Sequence, residues 1–324
     1  MRNSRKKKEK NTLKERFEMI DIEKIKSKKI ISELLEFGII NFDKPANCTS
    51  FDVADFVRKK LKLRKTSHFG TLDPMVTGVL PIALNRAVKL TGFFLGEDKE
   101  YEGIMRIHED VSLEEIKKVI EEKFMGKIIQ LPPVKSRVKR QEREREIKKF
   151  KLLEKNGKNI SFRVECEGGT YIRKLVHDLG EEMKIGAHMT KLRRIRAGIF
   201  KIEKSVTKEN FLKAVEEFEK GNDERLRKII IPAEIVSEIY PAVEVKKGFT
   251  EKILHGAPID YKFLEKEKKF DRVHSVPPHS SLTSQMKGKI ISIFEKENFI
   301  GMYKVVNEKN IFAKPEFVLQ PMVK

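Results

Sequence analysis

One stretch, Thr66 to Leu84, constrains this chain more than any other: Thr-Ser-His-Phe-Gly-Thr-Leu-Asp-Pro-Met-Val-Thr-Gly-Val-Leu-Pro-Ile-Ala-Leu. A single carboxylate, Asp73, stands between Gly70 and Gly78, and an apolar run from Val79 to Leu84 follows at once. The run reads as a buried strand and the glycines as tight turns. A carboxylate on a loop anchored by a buried strand is how a chain presents a fixed acid to a pocket. Read locally, Asp-Pro is also ordinary turn chemistry. The rest of the chain has to decide between the two.

Charge points to the partner. The formal net charge is +20, a field that favours a polyanion. Nucleic acid is the default partner, and an anionic membrane surface is the competitor. No stretch approaches the ~20 apolar residues of a spanning helix. Met1 to Lys10 is basic with no apolar run behind it, so no signal peptide is read and no membrane role is expected. Cys48 and Cys166 form neither a metal-ligand spacing nor a disulfide framework, which fits a reducing, cytoplasmic setting. The 324 residues suffice for two domains, on a prior of roughly 100 to 200 residues each. There is no Walker loop, dinucleotide fingerprint or internal repeat, and no carboxylate cluster of the kind a metal-dependent nuclease needs.

In chain order, residues 1–33 form a basic arm. Leu34 to Phe42 reads as a buried strand ending in the turn Asp43-Lys44-Pro45. Ser50 is placed to cap a helix from Phe51 to about Leu61, with Asp52 in its first turn. A helix is expected near Arg86 to Leu95, then Asp98-Lys-Glu-Tyr-Glu-Gly103 leads into a strand ending near Ile107. Ser112 and Glu115 form a capping box for a helix to about Lys123. Gln130 to Ile147 is strongly basic, with two prolines and no apolar periodicity. It reads as a loop suited to gripping a phosphate backbone.

Ile160, Phe162, Val164 and Cys166 alternate with polar residues in a half-buried strand, Asn159 to Glu167. Gly168 to Arg173 opens a helix with the apolar face Leu175, Val176 and Leu179. Arg173 is poorly placed for the helix dipole there, unless a carboxylate meets it. Thr207 caps a helix to about Lys220, and the domain that began at residue 34 closes near 236. The region 237–324 is rich in short strands, Val243–Val245, Gly288–Phe294 and Ile300–Val305, around a short helix from Lys247 to His255. Its polar run, about 262–286, reads as a disordered insertion.

Several of these segments resemble, in order, the motifs of the TruB and dyskerin family of pseudouridine synthases. They are the strand with Asp43-Lys44-Pro45, Gly70-Thr-Leu-Asp73-Pro, Lys99-Glu-Tyr101, Gly169-Thr-Tyr-Ile-Arg173 and Lys191-Leu192-Arg-Arg. The resemblance implies an α+β fold with a mixed, mainly antiparallel sheet flanked by helices. A small C-terminal β pseudo-barrel, 237–324, resembles a PUA domain. The implied reaction is isomerisation of uridine to pseudouridine in RNA, without redox change, so no cofactor and no metal are expected.

By that resemblance Asp73 is catalytic, Arg173 pairs with it, and Tyr101 stacks on the target base. Lys44, His68 and Leu192 belong to the substrate pocket. The basic run is a thumb loop, about 131–147, with Lys139 and Arg140 gripping RNA; Arg137, Glu142 and Glu144 depart from the usual pattern. The thumb, the PUA-like extension and Ile107-His-Glu-Asp-Val111 look like the dyskerin branch, and the lack of a long Lys-rich tail looks archaeal. The implied partners are an H/ACA guide RNA, an rRNA or tRNA substrate and small accessory proteins. The alternatives are a stand-alone tRNA synthase of TruB type and a non-catalytic RNA-binding protein.

Overall fold

The apolar run after Asp73 is the axis of a ten-stranded sheet. In the computed structural model, which describes residues 20–132, 141–264 and 286–320, the chain divides into two units. The first is Ile31–Ile231; the second joins the residues up to Ile30 to those from Pro232 on.

The large sheet is built from β1 (Gly38–Lys44), β2 (Thr66–His68), β3 (Thr77–Leu84), β4 (Lys99–Ile107), β5 (Gly126–Gln130), β6 (Arg143–Asn156), β7 (Asn159–Cys166), β8 (Ala187–Ala197), β9 (Phe200–Lys201) and β10 (Ile230–Pro232). Its main path runs β10-β1-β3-β8-β4-β7-β6-β5. β1 lies antiparallel on one edge of β3, with Ile40 opposite Ile82 and Lys44 opposite Gly78. On the other edge β2 takes the far end of β3. β8 takes its near end in parallel, over Thr77 and Gly78 against Arg193 and Arg194.

That short parallel contact joins two half-sheets, each with its own core. One half packs Ile40, Phe42, Leu80 and Ile82 against the helices Ser50–Lys60 and Lys208–Glu219, through Val53, Val57, Phe211 and Val215. The other packs Met105, Phe162 and Val164 against the helices Leu113–Lys123 and Ile172–Glu182. The last helix buries Ile172, Leu175, Val176 and Leu179, the i, i+3, i+4, i+7 stripe that gives a helix one apolar face. Each such side chain contributes about 1.5–3 kcal/mol on burial. Gly78 is dictated by the junction: its φ is +105°, and a Cβ there would lie 2.2 Å from the Arg194 carbonyl oxygen.

The mixed, mainly antiparallel α+β architecture matches the expectation, and four local readings change. Leu34 ends up in a helix, Ile31–Glu36, and the strand starts only at Gly38. A short apolar run fits either period, and the close approach at Gly38 decides it, because a Cβ there would lie 2.2 Å from the Leu34 carbonyl oxygen. Thr49, rather than Ser50, caps the next helix in a full capping box with Asp52. The segment after β3 is a 3-10 turn, Asn85–Leu90, before a short helix, Thr91–Leu95. The basic run also ends sooner than expected, since β6 already begins at Arg143 and pairs with β5.

The second unit is a curled five-stranded sheet, in the order β11-β13-β14-β15-β12. Its strands are β11 (Ala242–Glu244), β12 (Ile259–Asp260), β13 (Ile290–Glu295), β14 (Asn298–Glu308) and β15 (Ile311–Val318). Ile253, Ile259, Ile291, Ile293, Tyr303 and Phe312 form its core. The expected helix there is shorter, Thr250–Leu254. Most of the polar run 262–286 lies outside the described residues.

Candidate active site

Asp73 is held on a loop pinned from both sides. Ser50, freed from capping, accepts a hydrogen bond from the Leu72 amide at 2.8 Å and donates one to the Leu72 carbonyl at 3.1 Å. Lys44 is fully buried and donates to the carbonyls of Pro45, Pro74 and Val76 at 2.9, 3.0 and 2.8 Å. An ammonium has three donors, and all three are used inside the chain. Burial pulls the Lys44 pKa down, the expected direction for a cation removed from water. Leu72 and Val76 bury their side chains in the core beneath β4 and β7, so the loop crosses from one half-sheet to the other. Between them the Asp73 side chain stays 52% exposed.

Arg173 arrives from the first turn of the Ile172–Glu182 helix and donates one guanidinium nitrogen to Asp73 Oδ2 at 2.6 Å. This is the carboxylate that its awkward position at a helix N-terminus called for. The contact is through one guanidinium nitrogen, and the carboxylate sits at an open surface.

β4 and β8 supply the wall. Tyr101 lies directly opposite Arg194, and Gly103 opposite Leu192. Tyr101 is 7% and Leu192 9% exposed, and both belong to the cluster that receives Leu72 and Val76. Burial pushes the Tyr101 phenol up, and the nearby Arg194 charge works against that shift. His68 is half-buried, its Nε2 3.1 Å from the Thr71 hydroxyl. Burial, then Arg194, holds its pKa below the usual histidine range, so the ring is neutral at pH 7. Asp73, Arg173, Tyr101 and Leu192 therefore come together, with His68 at the start of the same loop and Lys44 behind it. Lys139 and Arg140 lie outside the described residues.

Two residues were missed by reading the sequence. Arg194 entered only as the last residue of the Lys191-Leu192-Arg-Arg motif. It is 1% exposed, and it donates to the Val79 carbonyl at 2.7 Å and the Gly70 carbonyl at 2.9 Å. The signal was its spacing: on a strand, positions two apart share a face, which puts Arg194 beside Leu192. Arg193 turns the other way, onto Asp43 at 2.7 Å and Thr77 at 3.3 Å. Lys99 is 4% exposed and donates to the carbonyls of Leu95 and Glu97. Burial first, and then Arg194, lowers its pKa to about 8.

A family model described as TruB family pseudouridylate synthase (N terminal domain) matches residues 58–172. One described as tRNA pseudouridylate synthase B C-terminal domain matches residues 173–237. The probable tRNA pseudouridine synthase B of Sulfurisphaera tokodaii is 38% identical over 91% of this chain and 86% of that protein. That of Methanopyrus kandleri is 45% identical over 70% of this chain and 67% of its own. The chain belongs to the TruB family of pseudouridine synthases.

Like the family, it is an isomerase acting on uridine in RNA. Among solved structures, one titled a Cbf5-Nop10-Gar1 complex superposes with a TM-score of 0.79 at 35% identity, over 91% of this chain and 89% of that one. An H/ACA RNP bound to a substrate RNA containing 2'-deoxyuridine superposes at 0.77 with 33% identity, again over 91% and 89%. The similarity thus reaches into the second unit of this TruB-family chain. Among the described residues no helix is long and apolar enough to cross a membrane.

Proposed function

We propose that this protein converts uridine to pseudouridine in rRNA, guided by an H/ACA RNA, with Asp73 as its catalytic carboxylate. The reaction breaks the bond between C1' and N1, turns the uracil and joins its C5 to C1'; C5 loses its proton and N1 gains one, so the change is an isomerisation. Asp73 acts as a carboxylate on the extruded nucleotide, and Arg173 orients it through their hydrogen bond. Taking the base out of its stack costs a few kcal/mol. A stacked aromatic face returns about 1–3 kcal/mol, which is the part given to Tyr101 above Leu192. His68, neutral and bonded to Thr71, orders the nucleotide at the loop entrance. Lys44 supports the loop from behind rather than meeting phosphate, since its donors are already used.

The observation that carries this reading is the Asp73–Arg173 contact beside Tyr101, made by segments far apart in sequence. Guidance is supported by the extent of the match to H/ACA assemblies, which includes the C-terminal β unit. We assign that unit, as a PUA-type domain, to gripping the guide RNA, and small accessory proteins like those named in the matched complex to holding it in place. A second reading, a stand-alone enzyme acting on tRNA, is favoured by the names of the sequence relatives.

The deciding experiment measures pseudouridine in an rRNA fragment with protein alone, with guide RNA, and with guide RNA plus accessory proteins, and repeats the series with tRNA. Guide-dependent rRNA conversion is expected. Equal rates with and without guide reject guidance, and conversion of tRNA alone selects the second reading.

A further inference from the structure

Arg194 heads the fully buried side chains by volume among the described residues, and its hydrogen bonds run to two backbone carbonyls rather than to a carboxylate. Their locations are informative. Gly70 is at the entry of the Asp73 loop, Val79 is on the strand that leaves it, and Tyr101 is the cross-strand partner of Arg194. One guanidinium therefore spans both ends of the acid loop and the stacking residue.

We propose that Arg194 is a positioning residue of the isomerisation, fixing the Asp73 loop and the Tyr101 hydroxyl in one relation without touching uridine. A guanidinium is a rigid fork of five donors, suited to three acceptors in different directions, whereas an ammonium on a flexible stem is not. It has no acceptor, so towards the Tyr101 oxygen beside it on the neighbouring strand it can act only as a donor. The groups facing Tyr101 are Arg194, Cys166 and Asp73, and Arg194 is the one that favours release of the phenol proton. Its removal frees the ring to turn and the Gly70 entry to drift, and displacements near 1 Å at a reacting centre cost on the order of 10²-fold in rate.

This inference rests on the roles given above to Asp73 and Tyr101. It is tested with Arg194→Lys and Arg194→Gln in the full chain, with the RNA that the unaltered protein converts. Two results are expected. First, kcat falls on the order of 10²-fold in the Gln variant and less in the Lys variant, with KM within about threefold. Second, carbon-13 NMR of labelled tyrosine shows the Tyr101 phenol titrating at higher pH in the Gln variant, which a merely structural support would not cause. Unchanged kcat, a change in KM alone, or an unmoved phenol titration overturns the proposal. So does failure of both variants to fold, by circular dichroism and melting, because Arg194 is then a support of the fold. An unaltered protein that converts no RNA at all defeats the prior reading of the site instead.

Discussion

Asp73 and Arg173, 100 residues apart in sequence, share one hydrogen bond of 2.6 Å while their side chains stay 52% and 58% exposed. An ion pair this open contributes about 0–1 kcal/mol to stability. Its value must then lie in chemistry, and the two can be separated. In Asp73→Asn pseudouridine formation is expected to vanish while RNA binding in a gel-shift assay persists. In Arg173→Met the rate is expected to fall steeply, with Tm moving by less than about 4 °C. A large drop in Tm with activity retained would make the pair structural.

Lys44 gives the opposite pattern of causes. Lys44→Met strips donors from the carbonyls of Pro45, Pro74 and Val76, at about 1–3 kcal/mol each if they stay dry. It also removes the cost of burying an ammonium, which is several kcal/mol. The two nearly cancel in global stability but not locally. Little change in urea midpoint is expected, with faster hydrogen exchange at the Leu72 and Val76 amides and a reduced kcat. Unaltered exchange at those amides would remove Lys44 from the account of how the loop is held.

Gly78→Ala tests the junction of the half-sheets. The added methyl would sit 2.2 Å from the Arg194 carbonyl oxygen, on a residue with φ +105°. Neither backbone can move without parting β3 from β8. A loss of about 3–5 kcal/mol is expected, read as a fall in Tm on the order of 10 °C or as insoluble protein. A variant as stable as the parent would show that the contact is loose.

Lys99 predicts a pH dependence. Its pKa is lowered to about 8 in the folded chain, from 10.5 when unfolded. Below pH 8 the lysine is charged in both states, and the cost of burying the charge is present in full. Between pH 8 and 10.5 the unfolded state binds more protons, so this residue's contribution to stability rises with pH, by about 3 kcal/mol across the window. Lys44 and Tyr101 have shifted pKa values of their own, so the comparison is wild type minus Lys99→Met, followed by urea unfolding. A difference that does not depend on pH would refute the assignment.

How much of this was legible beforehand divides along physical lines. The acid loop, its strand, the Leu113–Lys123 capping box and the Arg173 helix were readable, because turn glycines, capping residues and apolar periodicity are local signals. Lys44 was picked out as a motif residue, but its burial was invisible, since it depends on three carbonyls converging on its ammonium. Arg194 and Lys99 were hidden for the same reason: among 69 basic residues, nothing local marks the two whose neighbours exclude water. Ser50 looked like a cap because Thr49 beside it carries the same hydroxyl chemistry, and only the return of Leu72 past that point tells the two apart.

The two-residue ladder between β3 and β8 has a cost in precision. A slip of one position there would carry the carboxylate ~3.3 Å, more than the length of the bond that ties it to its guanidinium. Most of the apolar packing within each half-sheet does not involve that ladder. Turnover is therefore the more fragile property, and gentle warming should silence the enzyme while its circular dichroism still looks native.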